Sequence, residues 1–218
     1  YGFGFLLLIP VWFARRIVLG AIALLLVFAA PPVVALVTGA IAFDDVADPV
    51  QLFARWLFHG EYPVLVWLVF LLAGLILGRT DLTNRLNAGL AIVAGTLSAV
   101  IGYASAHLLP GVSAAAHSGT TAEVFGSGGV AVAVIGILSL LDADWASTAA
   151  ARIVRVIRVV LAPVAAAGAM ALTLYTAHAV VLTIVRAALI DDGLWIMPGW
   201  VLPVLVVGSL VVATLWRR

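Results

Sequence analysis

The sequence predicts an all-α fold, a polytopic bundle of transmembrane helices, and three observations lead to this prediction. First, 65% of the 218 residues are hydrophobic and only 10% are charged, whereas about 25% of the residues of a soluble domain are charged. Second, apolar runs of about 20 residues, the length that spans a bilayer, recur along the chain. Third, the arginines lie between these runs in an alternating pattern. We therefore expect an integral membrane protein with the lipid bilayer as its surroundings.

We expect six full spans in one transmembrane domain over residues 1–218. Residues 1–14 are too short to span, and because the chain begins inside an apolar run we expect them to be the end of a truncated helix in the C-terminal part of a larger protein. Pro31 and Pro32 lack a backbone N–H and predict a kink in the first full span, while Pro163 suits the first turn of the fifth. The predicted spans are residues 17–43, 62–78, 86–109, 124–141, 163–189 and 195–216.

Two further segments are predicted to be interfacial helices. Residues 49–58, "PVQLFARWLF", are amphipathic and are expected to lie along a membrane surface. Residues 148–160 carry Arg152, Arg155 and Arg158 at intervals of three, which places a basic stripe on one helical face. Such a stripe is typical of a helix against anionic lipid headgroups, and an ordinary solvated helix is the alternative.

The positive-inside rule gives one consistent orientation. With Arg15 and Arg16 in the cytoplasm, nine of the eleven arginines fall on the cytoplasmic side. The acidic residues expected outside are Asp44, Asp45, Asp48, Glu61, Glu123, Asp191 and Asp192. The pattern predicts a multi-pass protein of a plasma membrane. Arg55 and Arg186 are the exceptions, and we take them as candidate functional residues because they depart from the rule.

His178 is expected about 15 residues into the fifth predicted span, in the outer leaflet. An ionisable side chain at that depth normally faces a protein interior or a water-filled cavity. Tyr175 precedes it by one turn and Arg186 follows by two turns. One interpretation is a general base or orienting group, with Arg186 guarding the entrance. The other is an interhelical hydrogen bond that holds the bundle together.

The stretch "HSGTTAEVFGSGG" contains a second group of polar residues, again on the outer side. A histidine with a carboxylate is the usual pair for proton transfer, so His117 and Glu123 are candidate catalytic residues and Ser118 a candidate substrate ligand. Capping of the next helix by Thr120 or Thr121, with Glu123 at its positive end, explains the same pattern without any chemistry. The glycines of "GSGG" indicate close helix packing rather than phosphate binding.

Arg55 and His59 are four residues apart, so they share a helix face and are expected to point into one pocket that binds substrate. A local ion pair between Arg55 and Glu61 is the alternative. Tyr62 and Trp67 suit the role of aromatic anchors at the membrane interface.

Several kinds of chemistry have no support in the residues. The chain has no cysteine, so thiolate chemistry and disulfides are excluded. Its four histidines are far apart and do not form a metal-binding motif, so no metal ligands are predicted. No phosphate-binding loop occurs, no bound cofactor is predicted, and the arginines match membrane topology rather than nucleic-acid binding.

Three stretches resemble one family in the expected order. They are "GEYPVLVWLVFLLAGLILGRTDL" from residue 60, "HSGTTAEVFGSGGVAVAVIGILSLL" from residue 117 and "APVAAAGAMALTLYTAHAVVL" from residue 162. The chain resembles, over residues 55–181, the bacterial membrane family called domain of unknown function four-one-eight, which is related to heparan-α-glucosaminide N-acetyltransferase. The Tyr-x-x-His helix is also similar to that of the family-three membrane acyltransferases.

The resemblance implies an integral-membrane acyltransferase of a bacterial inner membrane. The acceptor would be a sugar or cell-envelope glycan at the extracytoplasmic face, and acyl-CoA would be the acyl donor. A histidine would activate the acceptor, and an arginine or the glycine-rich backbone would stabilise developing negative charge. The alternatives are a transporter or flippase-like subunit, supported by the proline pair and the glycine-rich helices, and a structural membrane subunit. Each would be compatible with an oligomer or a larger membrane complex.

Overall fold

The fold was analysed from a computed structural model, which describes residues 2–42, 48–60, 62–142, 148–189 and 198–217. All regular structure within these residues is helical, which confirms the predicted fold class. The chain forms two compact units, Tyr1–Asp144 and Trp145–Arg218, and each is described by itself. That the whole chain is one domain stays a prediction.

The first unit contains six α-helices and a short 3-10 turn. In order they are α1 (Gly2–Leu8), the 3-10 turn (Ile9–Val11), α2 (Arg16–Ala40), α3 (Pro49–Phe58), α4 (Val64–Gly78), α5 (Arg85–Leu108) and α6 (Thr121–Asp142). The second unit contains α7 (Thr148–Ala169), α8 (Ala171–Leu189) and α9 (Val201–Trp216).

Fewer helices reach the length of a membrane span than the six predicted. Within the described residues, α2, α5 and α6 are long and apolar enough to span, and α7 with α8 would add a fourth if this bent pair is one span. α4 is equally apolar, but its 15 residues extend only about 22 Å, less than the hydrocarbon thickness of about 30 Å. It begins at Val64, because Pro63 forms its N-cap with a non-helical ψ of 118°, and the predicted span is thereby shortened.

The outward side chains are those of a membrane protein. Phe13, Ile17 and Leu36 expose 94%, 80% and 74% of their surface, and many other large apolar side chains are exposed with them. In water such a surface would be an aggregation hazard, whereas in a bilayer it meets acyl chains. The buried core is correspondingly small, with Leu19 of α2 and Leu72 of α4 packed at its centre.

The ends of α2 and α4 that carry arginine lie together, as the positive-inside rule requires. The Arg79 guanidinium donates to the Ala14 carbonyl at 2.7 Å and lies 5.8 Å from the centre of the Trp12 ring. Arg16 donates to the Thr80 hydroxyl at 3.4 Å. The predicted placement of Arg16 and Arg79 on one side is therefore confirmed within the first unit.

A short ordered turn joins α4 to α5 at this same end. The Thr83 hydroxyl and backbone N–H donate to the Asp81 carboxylate at 2.5 and 3.1 Å, and they lower the pKa of that carboxyl group. The Asn84 side chain caps α5 by accepting the Leu86 N–H at 2.9 Å.

α5 and α6 form the closest helix pair of the unit. A Cβ added at Gly95 would lie 2.4 Å from the backbone nitrogen of Ala133, and one added at Gly102 would lie 2.3 Å from that of Gly126. The backbones can approach this closely only because these positions have no side chain. The facing positions recur at alternating intervals of four and three on both helices: 88, 92, 95, 99 and 102 on α5, against 122, 126, 129, 133 and 136 on α6. All of them are glycine or alanine except Ile92, which lies against Gly136. The packing role predicted for the "GSGG" glycines is confirmed.

α2 continues as one helix through its proline pair. Pro31 has no N–H to donate to the carbonyl of Val27, four residues earlier. The Thr121 hydroxyl at the start of α6 donates to that carbonyl instead, at 2.8 Å. The freed acceptor is thereby satisfied inside the bundle, and the helix goes on to Ala40. A bend at the pair stays a prediction.

The fifth predicted span is not one continuous helix, because the second unit divides that segment between two helices. α7 runs from Thr148 through Pro163 to Ala169, so Pro163 lies inside a helix rather than at its first turn. The chain then breaks at Met170, whose N–H bonds to the Ala167 carbonyl only three residues back. α8 begins at Ala171, and the two helices are bent by 76°.

Candidate functional site

The loop before α6 is organised around the carboxylate of Glu123. This side chain is only 7% exposed, and it accepts the backbone N–H groups of His117 at 2.6 Å and Gly119 at 2.7 Å. The Ser118 hydroxyl adds a longer bond of 3.3 Å. His117 and Gly119 have φ values of +63° and +65°, the left-handed conformation that turns successive N–H groups toward one acceptor. Glu123 therefore fixes the backbone of His117.

Thr120 caps α6, which settles the choice between the two threonines. Its hydroxyl accepts the Glu123 N–H at 3.1 Å and donates to the Ser113 carbonyl. Thr121 instead binds Val27 of α2, as described above. The capping interpretation of this segment is thus confirmed, and the negative charge of Glu123 lies at the positive end of the helix.

The His117 ring lies against aromatic side chains. Its centre is 4.8 Å from that of Tyr62, edge to face, and 6.2 Å from that of Trp67, nearly stacked. Tyr62 and Trp67 also contact each other, at 4.9 Å. The contact between His117 and Glu123 is made through the peptide N–H, so the carboxylate orients the loop that carries the imidazole. The catalytic roles of both residues stay predictions.

A recess of about 650 Å³ opens beside this cluster. Arg55 and His59 both line it, as their shared helix face predicts, and so does Tyr62. The remaining lining comes from Phe3, Leu6, Trp56, Gly60 and Val64. Its volume lies within the range of about 300–1,000 Å³ usual for ligand sites. Tyr62 lies between the recess and His117, because its ring lines the recess and also contacts the imidazole of His117.

Local sequence explains how α3 presents Arg55 and His59. Asp48 caps the helix by accepting the Val50 N–H at 2.9 Å, and Pro49 occupies the first helical position. At the other end the His59 N–H closes the last turn on the Arg55 carbonyl at 2.9 Å, and Gly60 turns the chain with a φ of +94°. Glu61, the predicted alternative partner of Arg55, lies outside the described residues, as do Asp44, Asp45, Asp191 and Asp192.

The second unit contains three further candidates, Tyr175, His178 and Arg186, and the first two line one cavity. His178 and Tyr175 face a groove of about 780 Å³ between α8 and α9, with their rings 5.2 Å apart. The groove is otherwise apolar apart from Ser209. Arg186 is exposed in the last turn of α8 and is not among the residues that line the groove.

The depth predicted for His178 needs correction. Counted from the start of α8 at Ala171, it lies about 11 Å along the helix, half of the 22 Å or so that one continuous span from Pro163 would give. The predicted chamber, formed by residues of both units, stays a prediction. Within the described part of the chain, no three His, Asp or Glu side chains are grouped so that they could hold a metal ion.

Sequence reasoning missed two contributors to this site. Tyr62 and Trp67 were assigned to the membrane interface, but they pack on His117. Their position directly before and within an apolar helix gave no signal for a histidine more than forty residues later. The bond from Thr121 to Val27 was also missed, although Pro31 marks that carbonyl as one in need of a donor.

Fold and surface together define an α-helical membrane protein, with several helices long and apolar enough to cross a bilayer. No family model matches the chain, and neither a curated protein nor a solved structure matches it. The functional assignment therefore depends on the site itself.

Proposed function

We propose that the chain is part of an integral-membrane acyltransferase that transfers an acyl group to a sugar or cell-envelope glycan at the extracytoplasmic face of a bacterial plasma membrane. The observation that carries the proposal is the position of His117. Its backbone is held by a buried carboxylate, and its ring contacts Tyr62, a wall of the recess that Arg55 and His59 also line. A base fixed beside an open pocket is the arrangement that acyl transfer needs.

The chemistry follows from these groups. The imidazole of His117 removes the proton from an acceptor hydroxyl or amine, whose oxygen or nitrogen attacks the acyl carbonyl. The bond between the acyl carbon and the donor sulfur breaks, and the thiolate of the coenzyme takes up the proton. Arg55 lines the recess and is proposed to bind the substrate there. Acyl-CoA is the proposed donor, directly or through a step that brings the acyl group across the membrane.

The other candidate residues have supporting roles in this scheme. Glu123 acts as a positioning residue, because its oxygens bind the peptide groups that place the imidazole. His59 and Ser118 are proposed to contact the acceptor, and both side chains are exposed. His178 is the second candidate base, since with Tyr175 it lines the groove of the second unit, and Arg186 would bind substrate at the outer end of α8.

Transport is the second candidate function. The break at Met170, with its bend of 76°, gives the second unit a discontinuous helix pair of the kind that lines substrate sites in transporters. Movement of a substrate without any covalent change would distinguish this function from acyl transfer.

The deciding experiment uses the full-length protein in membrane vesicles with radiolabelled acyl-CoA and an envelope glycan acceptor. We expect His117→Ala to lower acyl transfer at least a hundred-fold, within the range that general-base catalysis contributes. His107→Ala is the matched control, because His107 is exposed in the last turn of α5 and does not line the recess. His178→Ala shows whether the base lies in the second unit.

Three outcomes would contradict either the proposed base or the proposed acyl transfer. Transfer that persists in both histidine variants excludes them as the base. Substrate movement without acylation supports the transporter. A loss of thermal stability alone in both variants, with no transferase or transport activity in the parent protein, supports a structural subunit.

A further inference from the structure

The recess that Arg55 and His59 line combines a cation with apolar walls. Arg55 is exposed, and the structure gives its guanidinium no hydrogen bond or ion pair within the described residues. Arg55 is also an exception to the positive-inside rule on this chain, so membrane topology does not explain it. A cation kept at the outer end of a membrane protein indicates an anionic ligand.

The geometry of the cationic end suits a phosphate. A guanidinium presents a planar fork of N–H donors that binds two phosphate oxygens at once. His59 lines the same recess, so its imidazole lies near the guanidinium. The His59 N–H closes the last turn of α3 on the Arg55 carbonyl, and both side chains line the same recess.

The remaining walls suit a chain or ring rather than water. Phe3 and Leu6 come from α1, and Val64 opens α4, so helices that pack together supply apolar surface next to the cation. Trp56 is half exposed and packs on Phe3, with ring centres 5.7 Å apart. Aromatic faces beside an arginine accept a sugar ring or an apolar chain attached to the phosphate.

We infer that this recess binds an anionic amphiphile, a phosphate monoester carried on an apolar chain, with the phosphate on Arg55 and His59 and the chain against Phe3, Leu6 and Val64. The inference rests on the proposed function only in taking this ligand to be the lipid-linked form of the acceptor. A monoester carries about two negative charges near neutral pH, against one for the phosphodiester of an ordinary phospholipid. The recess should therefore bind a phosphate monoester more tightly than a phosphodiester.

The test measures equilibrium binding of radiolabelled farnesyl phosphate to the full chain in neutral detergent, by scintillation proximity. We expect saturable binding, with farnesol and inorganic phosphate each competing at least ten-fold more weakly, because each lacks one half of the ligand. Phosphatidylglycerol, the diester probe, should also compete at least ten-fold more weakly. Arg55→Gln should weaken binding about ten- to hundred-fold, the loss expected when a charge-assisted hydrogen bond is removed.

Two further variants keep the result interpretable. Arg15→Gln removes an arginine that is also exposed but lies before α2, and it should bind as the parent protein does. Arg55→Lys keeps the charge without the planar fork and should bind more tightly than Arg55→Gln but less tightly than the parent. Gel filtration and thermal unfolding verify that each variant is folded.

Several outcomes would overturn the inference. If farnesol competes as well as farnesyl phosphate, or if Arg55→Gln binds as tightly as the parent, the cation does not contribute to binding. If inorganic phosphate competes as well as farnesyl phosphate, the apolar walls do not contribute to binding. If phosphatidylglycerol competes equally, the recess is a site for bulk lipid. The readout needs no turnover, so binding without acyl transfer would contradict only the proposed function. Acyl transfer with an unchanged KM in Arg55→Gln would contradict only this inference.

Discussion

The buried carboxylate of Glu123 shows how one residue can serve both stability and function. Its oxygens accept the peptide N–H groups of His117 and Gly119, two residues whose backbones are both left-handed. The carboxylate thereby holds the loop in a conformation that the loop would not otherwise keep. His117 needs this support because a non-glycine residue at a φ of +63° is strained by about 1 kcal/mol or more. The carboxylate therefore secures the position of the imidazole.

We predict that Glu123→Gln lowers the free energy of unfolding by about 1–3 kcal/mol, because the amide NH₂ would replace an acceptor with a donor opposite a peptide N–H. The measurement is the thermal unfolding of the full-length protein in detergent. Ser118→Ala is the control: its bond to Glu123 is long, at 3.3 Å, and its side chain is exposed, so the midpoint should barely move. Equal midpoints for the two variants would show that the carboxylate does not hold the loop.

For single residues, the sequence predicted local roles such as helix capping better than contacts between distant parts of the chain. "TTAE" indicated a helix cap, and Thr120 makes it. The shared helix face of Arg55 and His59 follows from a spacing of four, and both line one recess. The contact of His117 with Tyr62 could not be predicted, because it depends on how α4 packs beside the loop rather than on any local pattern.

Among the elements, the α5–α6 pair depends most on the absence of side chains. Helices in a bilayer gain little from burying apolar surface, since lipid is equally apolar, and so close backbone contact has to supply the packing energy. The facing positions, all small except Ile92, repeat at intervals of four and three, the spacing that keeps one face toward a partner over several turns. On α5 this face runs from Ala88 to Gly102.

We predict that Gly95→Ala destabilises the protein by about 1–3 kcal/mol, the usual cost of overpacking, because the added methyl group would meet the Ala133 backbone. Gly89→Ala is the matched control on the same helix. Nothing lies within 4 Å of a Cβ there, so the substitution should be neutral or stabilise the helix by about 0.5–1 kcal/mol. Thermal unfolding of both variants in detergent is the measurement, and a midpoint for Gly95→Ala at or above that of Gly89→Ala would contradict the packing.

Element boundaries were predictable where local signals were strong. α3 spans Pro49–Phe58, the predicted range, because Asp48 and Pro49 mark its start and Gly60 follows its end. The break at Met170 was not predictable, since it lies in a uniformly apolar run of small residues with no polar mark. An apolar run reports that a segment belongs in lipid, but it does not report whether the segment is one helix or two.

The positive-inside rule predicts one orientation for the whole molecule, and the first unit makes this prediction testable. The α4–α5 turn and the α5–α6 loop lie at opposite ends of α5, whose 24 residues extend about 36 Å. That length exceeds the hydrocarbon thickness of about 30 Å, so the two connections should be on opposite sides of the membrane. The positive-inside rule predicts that this turn, with Arg79 and Arg85 beside it, lies in the cytoplasm. The proposed site would then face outward.

Because the chain has no cysteine, single-cysteine variants report this orientation without background. We predict that Ala116→Cys reacts with a membrane-impermeant maleimide on intact cells, and that Thr83→Cys reacts only after permeabilisation. Both side chains are exposed, so reactivity reflects the side of the membrane rather than burial. Ala149→Cys, exposed near the start of α7, tests the second unit and should behave as Thr83→Cys does. Labelling of Thr83→Cys alone on intact cells would invert the orientation, and it would place the Arg55 recess and His117 where no extracytoplasmic glycan could reach them.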